Sequence, residues 1–316
     1  MRTKRTRSTR VGAVACLLLA LTATAGPAPA VAASAPASVP AAVEPAPDGQ
    51  SAQVLDIRSS VEGLSAPATA RPGNVTFRVT TTDPASGWVS LVRPKPGVTF
   101  EEFRSSLLKI INHTAPDIIE GSAELRDRAE LLGGTVIHPN LPASFSKTLT
   151  PGTYWFFDYQ NIRDAQPRFA TLTVGGAPAT APLPVPTASL TGRLVDGRPV
   201  WDLQGTVRAG RPLVFRNAMP AGQNIEAIFF RLAEDTTEED LKAYIAEFGD
   251  HGKFPDHSGA LDLAQGTGGL PMNSGESSVL NLTLQPGRYA VVDFFVDAND
   301  GTIFIKRGHW KIFEAR

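Results

Sequence analysis

Apolar and polar residues alternate in short runs through most of the chain beyond residue 51, and such alternation predicts half-buried β-strands. The runs 279–284 and 289–296 flank a Gln285-Pro286-Gly287 turn, which predicts a hairpin-like pair. In chain order, the predicted strands are 74–81, 88–92, 213–217, 227–232, 279–284, 289–296 and 309–313.

One helix is predicted in each half of the chain. Thr99-x-x-Glu102 and Thr236-x-x-Glu239 have the spacing of capping boxes, in which a hydroxyl and a carboxylate satisfy free backbone N–H groups. Apolar residues follow each box at helical spacing. They are Phe103, Leu107, Ile110 and Ile111, and then Leu241, Tyr244, Ile245 and Phe248. Strands with one helix inserted in each half predict an all-β fold of β-sandwich type.

The two halves of the chain are a repeat. Residues 148–154 read TLTPGTY and residues 283–289 read TLQPGRY, an offset of 135 positions. Three further blocks match in the same order: 71–78 with 208–216, 91–93 with 229–231, and 99–102 with 236–239. A Pro-rich stretch at 175–186 separates the halves and is typical of a linker. The sequence therefore predicts two domains of one type, at 51–174 and 187–316.

The N-terminus has the pattern of a secretory signal peptide. Basic residues precede an apolar run at 11–25, and small-residue cleavage motifs follow at 28–30 and 30–32. We therefore expect residues 1–32 to be removed on export and residues 33–50, rich in Ala and Pro, to form an extended tether. Cys16 lies inside the apolar run, so the secreted chain would contain no thiol.

Composition narrows the function classes. The chain has 30 basic and 31 acidic residues, a net charge of −1, which does not favour a nucleic-acid partner. A single Cys excludes an internal disulfide framework and a Cys-rich zinc site. The apolar run of the leader, at 11–25, is too short for a spanning helix. We expect a secreted protein with no membrane association after cleavage.

Three blocks resemble the cupredoxin, or blue copper, superfamily. They are 209–217 (AGRPLVFRN), 284–289 (LQPGRY) and 307–313 (RGHWKIF). The second half, and more weakly the first, looks like a family of exported bacterial cupredoxin-like domains with an inserted helix. The resemblance covers most of 60–316 and implies two tandem cupredoxin-like β-sandwich domains.

The copper ligands of that superfamily do not carry over to this sequence. The position of its Cys is occupied by Asp158 in the first half and by Asp293 in the second, and its early His falls near Gly87 and Ile225. His309 stands where the family often has a Gly-Met step. Because a blue copper site needs two imidazoles and a thiolate, we expect these positions to be degenerate and predict no cofactor.

Asp158 and Asp293 have two interpretations. They are either the remnant of a metal pocket or buried carboxylates held by backbone donors or a cation, since burial of an unpaired carboxylate is costly. The nearby candidate cations are Arg163, Arg168, Lys306 and Arg307.

A loop in the second half offers a different possible metal site. Asp250, His251, Asp256 and His257 lie within eight residues, although their spacing matches no established metal motif. Nucleophile-elbow, zinc-protease and phosphate-loop motifs are absent from the sequence, and so are the His-x-His pairs of multicopper oxidases.

The sequence therefore predicts a secreted binding or scaffold protein that is not an enzyme, with an extracellular protein or glycan as partner. The alternative is an extracytoplasmic metal-handling protein that uses His251, His257 and the neighbouring carboxylates.

Overall fold

The computed structural model describes residues 52–316, which contain 17 strands and three α-helices. The predicted signal peptide, Cys16 and the predicted tether lie outside the described residues. The strands are β1 (Gln53–Ser60), β2 (Gly63–Ser65), β3 (Thr69–Ala70), β4 (Gly73–Thr81), β5 (Gly87–Pro94), β6 (Ala129–Ile137), β7 (Ala143–Leu149), β8 (Gly152–Asp158), β9 (Phe169–Val174), β10 (Ala188–Val195), β11 (Arg198–Gly205), β12 (Leu213–Ala218), β13 (Ile225–Arg231), β14 (Thr267–Met272), β15 (Ser277–Asn281), β16 (Gly287–Val292) and β17 (Trp310–Ala315). The helices are α1 (Phe100–Ile110), α2 (Ala115–Arg128) and α3 (Glu238–Ala246).

The strands form two mixed sheets. The first has the order β11-β10-β12-β15-β7-β4-β1-β2, and the second has the order β17-β16-β13-β14-β6-β5-β8-β9-β3. Apolar side chains from both sheets pack together, as where the rings of Phe77 in β4 and Phe156 in β8 lie 5.1 Å apart. The predicted all-β sandwich class is confirmed.

Both sheets run through both halves of the chain. In the first sheet β15 pairs antiparallel with β7, and in the second sheet β14 pairs antiparallel with β6. Outward from this junction the halves repeat each other, since β4 and β12 each pair in parallel with the first strand of their half. Strands that would be exposed edges in a lone half are thereby covered. The predicted division at 175–186 stays a prediction, because residues on both sides of it share the same sheets.

The predicted hairpin-like pair at 279–284 and 289–296 is wrong. Strand β15 belongs to the first sheet and β16 to the second, so the Pro286-Gly287 turn carries the chain from one sheet to the other. The backbone N–H of Gln285 donates to the Tyr289 hydroxyl at 3.1 Å, which anchors this crossing. In the first half the Tyr154 hydroxyl accepts from the N–H of Thr150 at 3.2 Å in the same way. Such tyrosine corners are typical of β-sandwiches.

The capping box of α1 is confirmed, with Thr99 and Glu102 bonded reciprocally. In α3 the box lies one residue later than predicted and uses Thr237 and Asp240. The sequence analysis missed α2, whose buried face includes two small residues, Gly121 and Ser122, and therefore carries a weak apolar period. A side chain on Gly121 would lie 2.7 Å from the carbonyl oxygen of Ser106, so a glycine is needed where α2 crosses α1.

A buried ion pair crosses the junction between the halves. The side chain of Lys147 in β7 is 3% exposed and its Nζ lies 2.5 Å from a carboxylate oxygen of Glu276, beside β15. Burial lowers the pKa of Lys147, and the Glu276 carboxylate opposes that shift. The buried charge of Lys147 is tolerated because Glu276 pairs with it.

We expect Glu276→Gln to lower the free energy of unfolding by about 2–3 kcal/mol, since it leaves a buried ammonium unpaired. Lys147→Met should change it by less than about 1 kcal/mol, because the remaining carboxylate is partly in water. Urea denaturation of both variants measures the difference. Equal losses in the two variants would contradict the assignment of the cost to the buried charge.

Candidate functional site

Asp158 ends β8 and is fully buried. Its Oδ2 accepts from the Ser59 hydroxyl at 2.6 Å, and its Oδ1 accepts from the backbone N–H groups of Trp88 and Gln160, both at 3.0 Å. The guanidinium of Arg168 lies 3.8 Å away. The carboxylate is thus supplied with donors from three separate segments of the first half.

Asp293 follows β16 and occupies the corresponding place in the second half, also fully buried. Its Oδ1 accepts from the backbone N–H groups of Glu226 at 3.2 Å and Phe295 at 2.9 Å, and its Oδ2 lies 2.8 Å from Nδ1 of His309. Burial raises the pKa of Asp293, whereas the hydrogen bonds from His309 and the two backbone groups oppose that rise.

His309 is itself fully buried and stacks on Trp201, with ring centroids 4.0 Å apart and an angle of 13° between planes. Its Nε2 has no hydrogen-bond partner among residues 52–316. Gly192 leaves the space for this stack, since a side chain there would lie 3.0 Å from the Trp201 ring and 3.1 Å from the imidazole. The second half therefore holds its carboxylate with a histidine where the first half uses Ser59 and Arg168.

Of the four cations proposed as partners of these carboxylates, Arg168 alone approaches one. Arg163 donates to the carbonyl of Ile111, and Lys306 lies 3.7 Å from Asp250. Arg307 is paired with Asp297 and Asp300.

The loop proposed for metal binding does not bring its ligands together. His251 Nδ1 lies 2.9 Å from the carbonyl oxygen of Gly301, whereas His257 is exposed and lies 3.2 Å from Glu247. Asp250 faces Lys306. Over the described range 52–316, no three His, Cys, Asp or Glu residues are grouped as they would be around a metal ion.

The donors at the cupredoxin copper position do not fit type 1 copper. Asp158 and Asp293 each have both oxygens bonded to protein donors, and His309 is the single imidazole beside them. Gly87 and Ile225, at the early ligand position, offer no ligating side chain. No chemical step of this chain is therefore derived through copper.

A pocket beside these carboxylates was not predicted from the sequence. Its volume is about 180 Å³, and we call it the inter-half pocket because both halves line it. The first half contributes Trp88, Ile111 and Tyr159, with His113 at the rim. The second half contributes Glu226, Phe254, Phe294 and Phe295, with His251 at the rim.

Two polar groups in this pocket lack adequate compensation. Glu226 is 6% exposed, and burial together with the negative charge of Asp293 raises its pKa well above the usual value, with the N–H of Phe294 opposing that shift. The hydroxyl of Tyr159 is buried with no partner among the described residues, and burial and the nearby Glu226 raise its pKa. A signal for this site existed in the sequence, namely one carboxylate inside the apolar strand 225–231.

No protein-family model and no curated protein matches the chain. Solved structures do match the chain. A multicopper oxidase is 13% identical, with 86% of this chain and 91% of that chain covered and a TM-score of 0.23. A copper nitrite reductase from Nitrosomonas europaea is 12% identical, with 84% and 94% covered and a TM-score of 0.23. Auracyanin from Roseiflexus castenholzii is 14% identical, with 40% and 96% covered and a TM-score of 0.25.

These proteins belong to the cupredoxin superfamily, which three blocks of this sequence resemble. The prediction that the chain is not an enzyme is withdrawn, because the solved structures that match it include a multicopper oxidase and a copper nitrite reductase. At these identities and TM-scores neither their chemistry nor their copper is assigned to this chain.

None of the helices within residues 52–316 is long and apolar enough to cross a membrane.

Proposed function

We propose that this protein acts outside the cytoplasm by binding a small organic molecule in the inter-half pocket. Export rests on the signal-peptide pattern of residues 1–32. In this pocket both halves of the repeat meet around apolar walls and buried polar groups. Small-molecule sites commonly combine apolar walls with a few convergent polar groups. A protein or glycan partner at the outer surface stays a prediction.

The observation that carries the proposal is the buried Tyr159 hydroxyl, which has no hydrogen-bond partner within the described residues, next to the buried Glu226, whose pKa burial and Asp293 raise. A buried polar group without a hydrogen-bond partner costs roughly 1–3 kcal/mol, and native structures contain few such groups. A ligand that supplies the missing hydrogen bonds would recover part of this cost. The free protein therefore carries a local destabilisation that binding relieves.

The pocket is open to solvent at its rim. Phe254 is 44% exposed although its ring packs 5.0 Å from Phe294 and 5.3 Å from Phe248. His113 is exposed, and its Nδ1 lies 3.0 Å from the carbonyl oxygen of His251, so the two rim segments are tied together across the halves. A large apolar ring held at the mouth of an apolar pocket offers an incoming molecule contact area.

Truncation of this ring tests the proposal. We expect the unmodified protein to bind toluene, a neutral molecule of suitable size, and Phe254→Ala to weaken that binding about 10-fold, because apolar contact area is lost. Phe169→Ala is the matched control, since Phe169 is also 44% exposed but does not line the pocket. Ligand-detected NMR gives the dissociation constants. Undetectable binding, or equal effects of the two substitutions, would contradict the pocket as the site.

A further inference from the structure

We propose that the ligand of the inter-half pocket is a small organic ammonium ion, whose charge pairs with Glu226 and whose carbon atoms pack against the rings of Trp88 and Phe294. This inference rests on the function proposed above and names the chemical class of the ligand. Binding of such an ion requires negative charge in the pocket, aromatic walls, and a volume that fits the ion.

The charge requirement is met by Glu226. Its carboxyl group is nearly fully buried in the pocket wall, and Asp293 supplies a second negative charge close behind it. Neither Lys nor Arg is among the described residues that line the pocket. Arg163, which is bonded to the carbonyl of Ile111, is exposed and is not part of the lining. Burial and Asp293 favour the neutral form of Glu226 in the free pocket. A cation that enters would stabilise its ionised form, and no lining Lys or Arg competes for it.

The aromatic requirement is met by five rings, those of Trp88, Tyr159, Phe254, Phe294 and Phe295. The face of an aromatic ring attracts a cation, most strongly where water is excluded, and aromatic pockets recognise alkylammonium groups in this way. A carboxylate surrounded by such rings distinguishes an alkylammonium ion from a metal ion, which needs several oxygen or nitrogen ligands.

The volume limits the size of the ligand. A cavity of about 150 Å³ holds one benzene molecule, so the inter-half pocket, at about 180 Å³, accommodates a trimethylammonium or similar headgroup and excludes long chains. The Tyr159 hydroxyl, which lacks a partner, is available to a polar substituent on the same molecule.

The test compares choline with 3,3-dimethylbutan-1-ol, which has the same shape but a carbon atom in place of the charged nitrogen. We expect the unmodified full-length secreted protein to bind choline at least about 10-fold more tightly than the alcohol. Glu226→Gln should remove this preference and leave alcohol binding within about 2-fold. Glu314→Gln removes an exposed carboxylate of β17 that does not line the pocket and should leave the preference intact.

The pH dependence gives a second readout on the unmodified protein. Burial and Asp293 raise the pKa of Glu226, so the free pocket holds a neutral carboxyl group at low pH and a carboxylate above that pKa. Choline affinity should therefore rise with pH until Glu226 is fully ionised, while alcohol affinity changes little. The other ionisable groups around this site are Asp293, His309 bonded to it, Tyr159, and His113 and His251 at the rim. Glu226→Gln separates their effect from that of Glu226.

Equal affinities for choline and the alcohol would overturn the ammonium inference and leave the proposed binding function standing. Failure of choline, the alcohol and toluene to bind would overturn both. A choline preference that persists in Glu226→Gln, or that does not increase with pH, would also overturn the assignment of the charge contact to Glu226. Thermal unfolding of Glu226→Gln shows whether that variant is folded, and we expect it to be at least as stable as the unmodified protein above the pKa of Glu226.

Discussion

Asp293→Ala is expected to lower the free energy of unfolding by about 3–5 kcal/mol. The substitution removes the acceptor of three buried donors, namely the backbone N–H groups of Glu226 and Phe295 and the imidazole of His309. Nε2 of His309 already lacks a partner within the described residues, so the ring would lose its sole side-chain hydrogen bond in a fully buried place. Leaving such groups without partners costs more than a normal hydrogen bond contributes.

Asp293→Asn is the matched variant, and we expect a loss of about 1–2 kcal/mol, because the amide keeps an acceptor oxygen for the backbone donors. Asp158→Ala should resemble Asp293→Ala, since it leaves Ser59, Trp88 and Gln160 without their acceptor. Calorimetric or urea unfolding of the full chain measures all three. Unchanged unfolding of Asp293→Ala with loss of ligand binding would contradict the structural role and would make the carboxylate part of a functional site.

Gly268→Ala is expected to cost about 3 kcal/mol, since it forces apart the backbones of β14 and its neighbour β13. Gly268 has a φ of 154°, and a side chain there would lie 2.1 Å from the carbonyl oxygen of Ala227. Gly134 occupies the corresponding place in the first half, where a side chain would lie 2.2 Å from the carbonyl oxygen of Val89. Because β14 and β6 are the strands that join the halves in the second sheet, the cost falls on the sheet shared by both.

Gly175→Ala is the control for this prediction. Gly175 has no positive φ, and no atom lies within 4 Å of the position its side chain would take. We expect a change within about 0.5 kcal/mol, which is usual for surface substitutions. Urea denaturation of Gly268→Ala, Gly134→Ala and Gly175→Ala gives the comparison. A small cost at Gly268 would show that β13 and β14 can separate and would contradict the close approach of their backbones at this position.

Features governed by local periodicity were determined by the sequence itself. The strands at 74–81, 88–92, 213–217 and 227–232 correspond to β4, β5, β12 and β13, and the first capping box begins α1 as predicted. The repeat offset of 135 also placed Asp158 and Asp293 at corresponding positions without any coordinates. Each of these features depends on residues close together in the chain, or on comparison of one half with the other.

Features that depend on distant residues were decided by the tertiary structure alone. Local sequence patterns do not specify which strands pair with each other. They therefore predict a hairpin at Pro286-Gly287, where the chain crosses between the sheets, and they do not predict that both halves share the two sheets. The partner of Asp293 is His309, and not Lys306 or Arg307, which come shortly before His309 in the chain.

The inter-half pocket is the clearest case of the same kind. Glu226 and Tyr159 are 67 positions apart, and although Glu226 is one carboxylate in an apolar strand, neither segment shows that the two residues lie together. Their properties follow from burial at a junction between halves, where the charge of Asp293 and the absence of water act together. Burial and proximity arise when the sheets assemble, and for this reason local patterns predicted the strands but not the site between them.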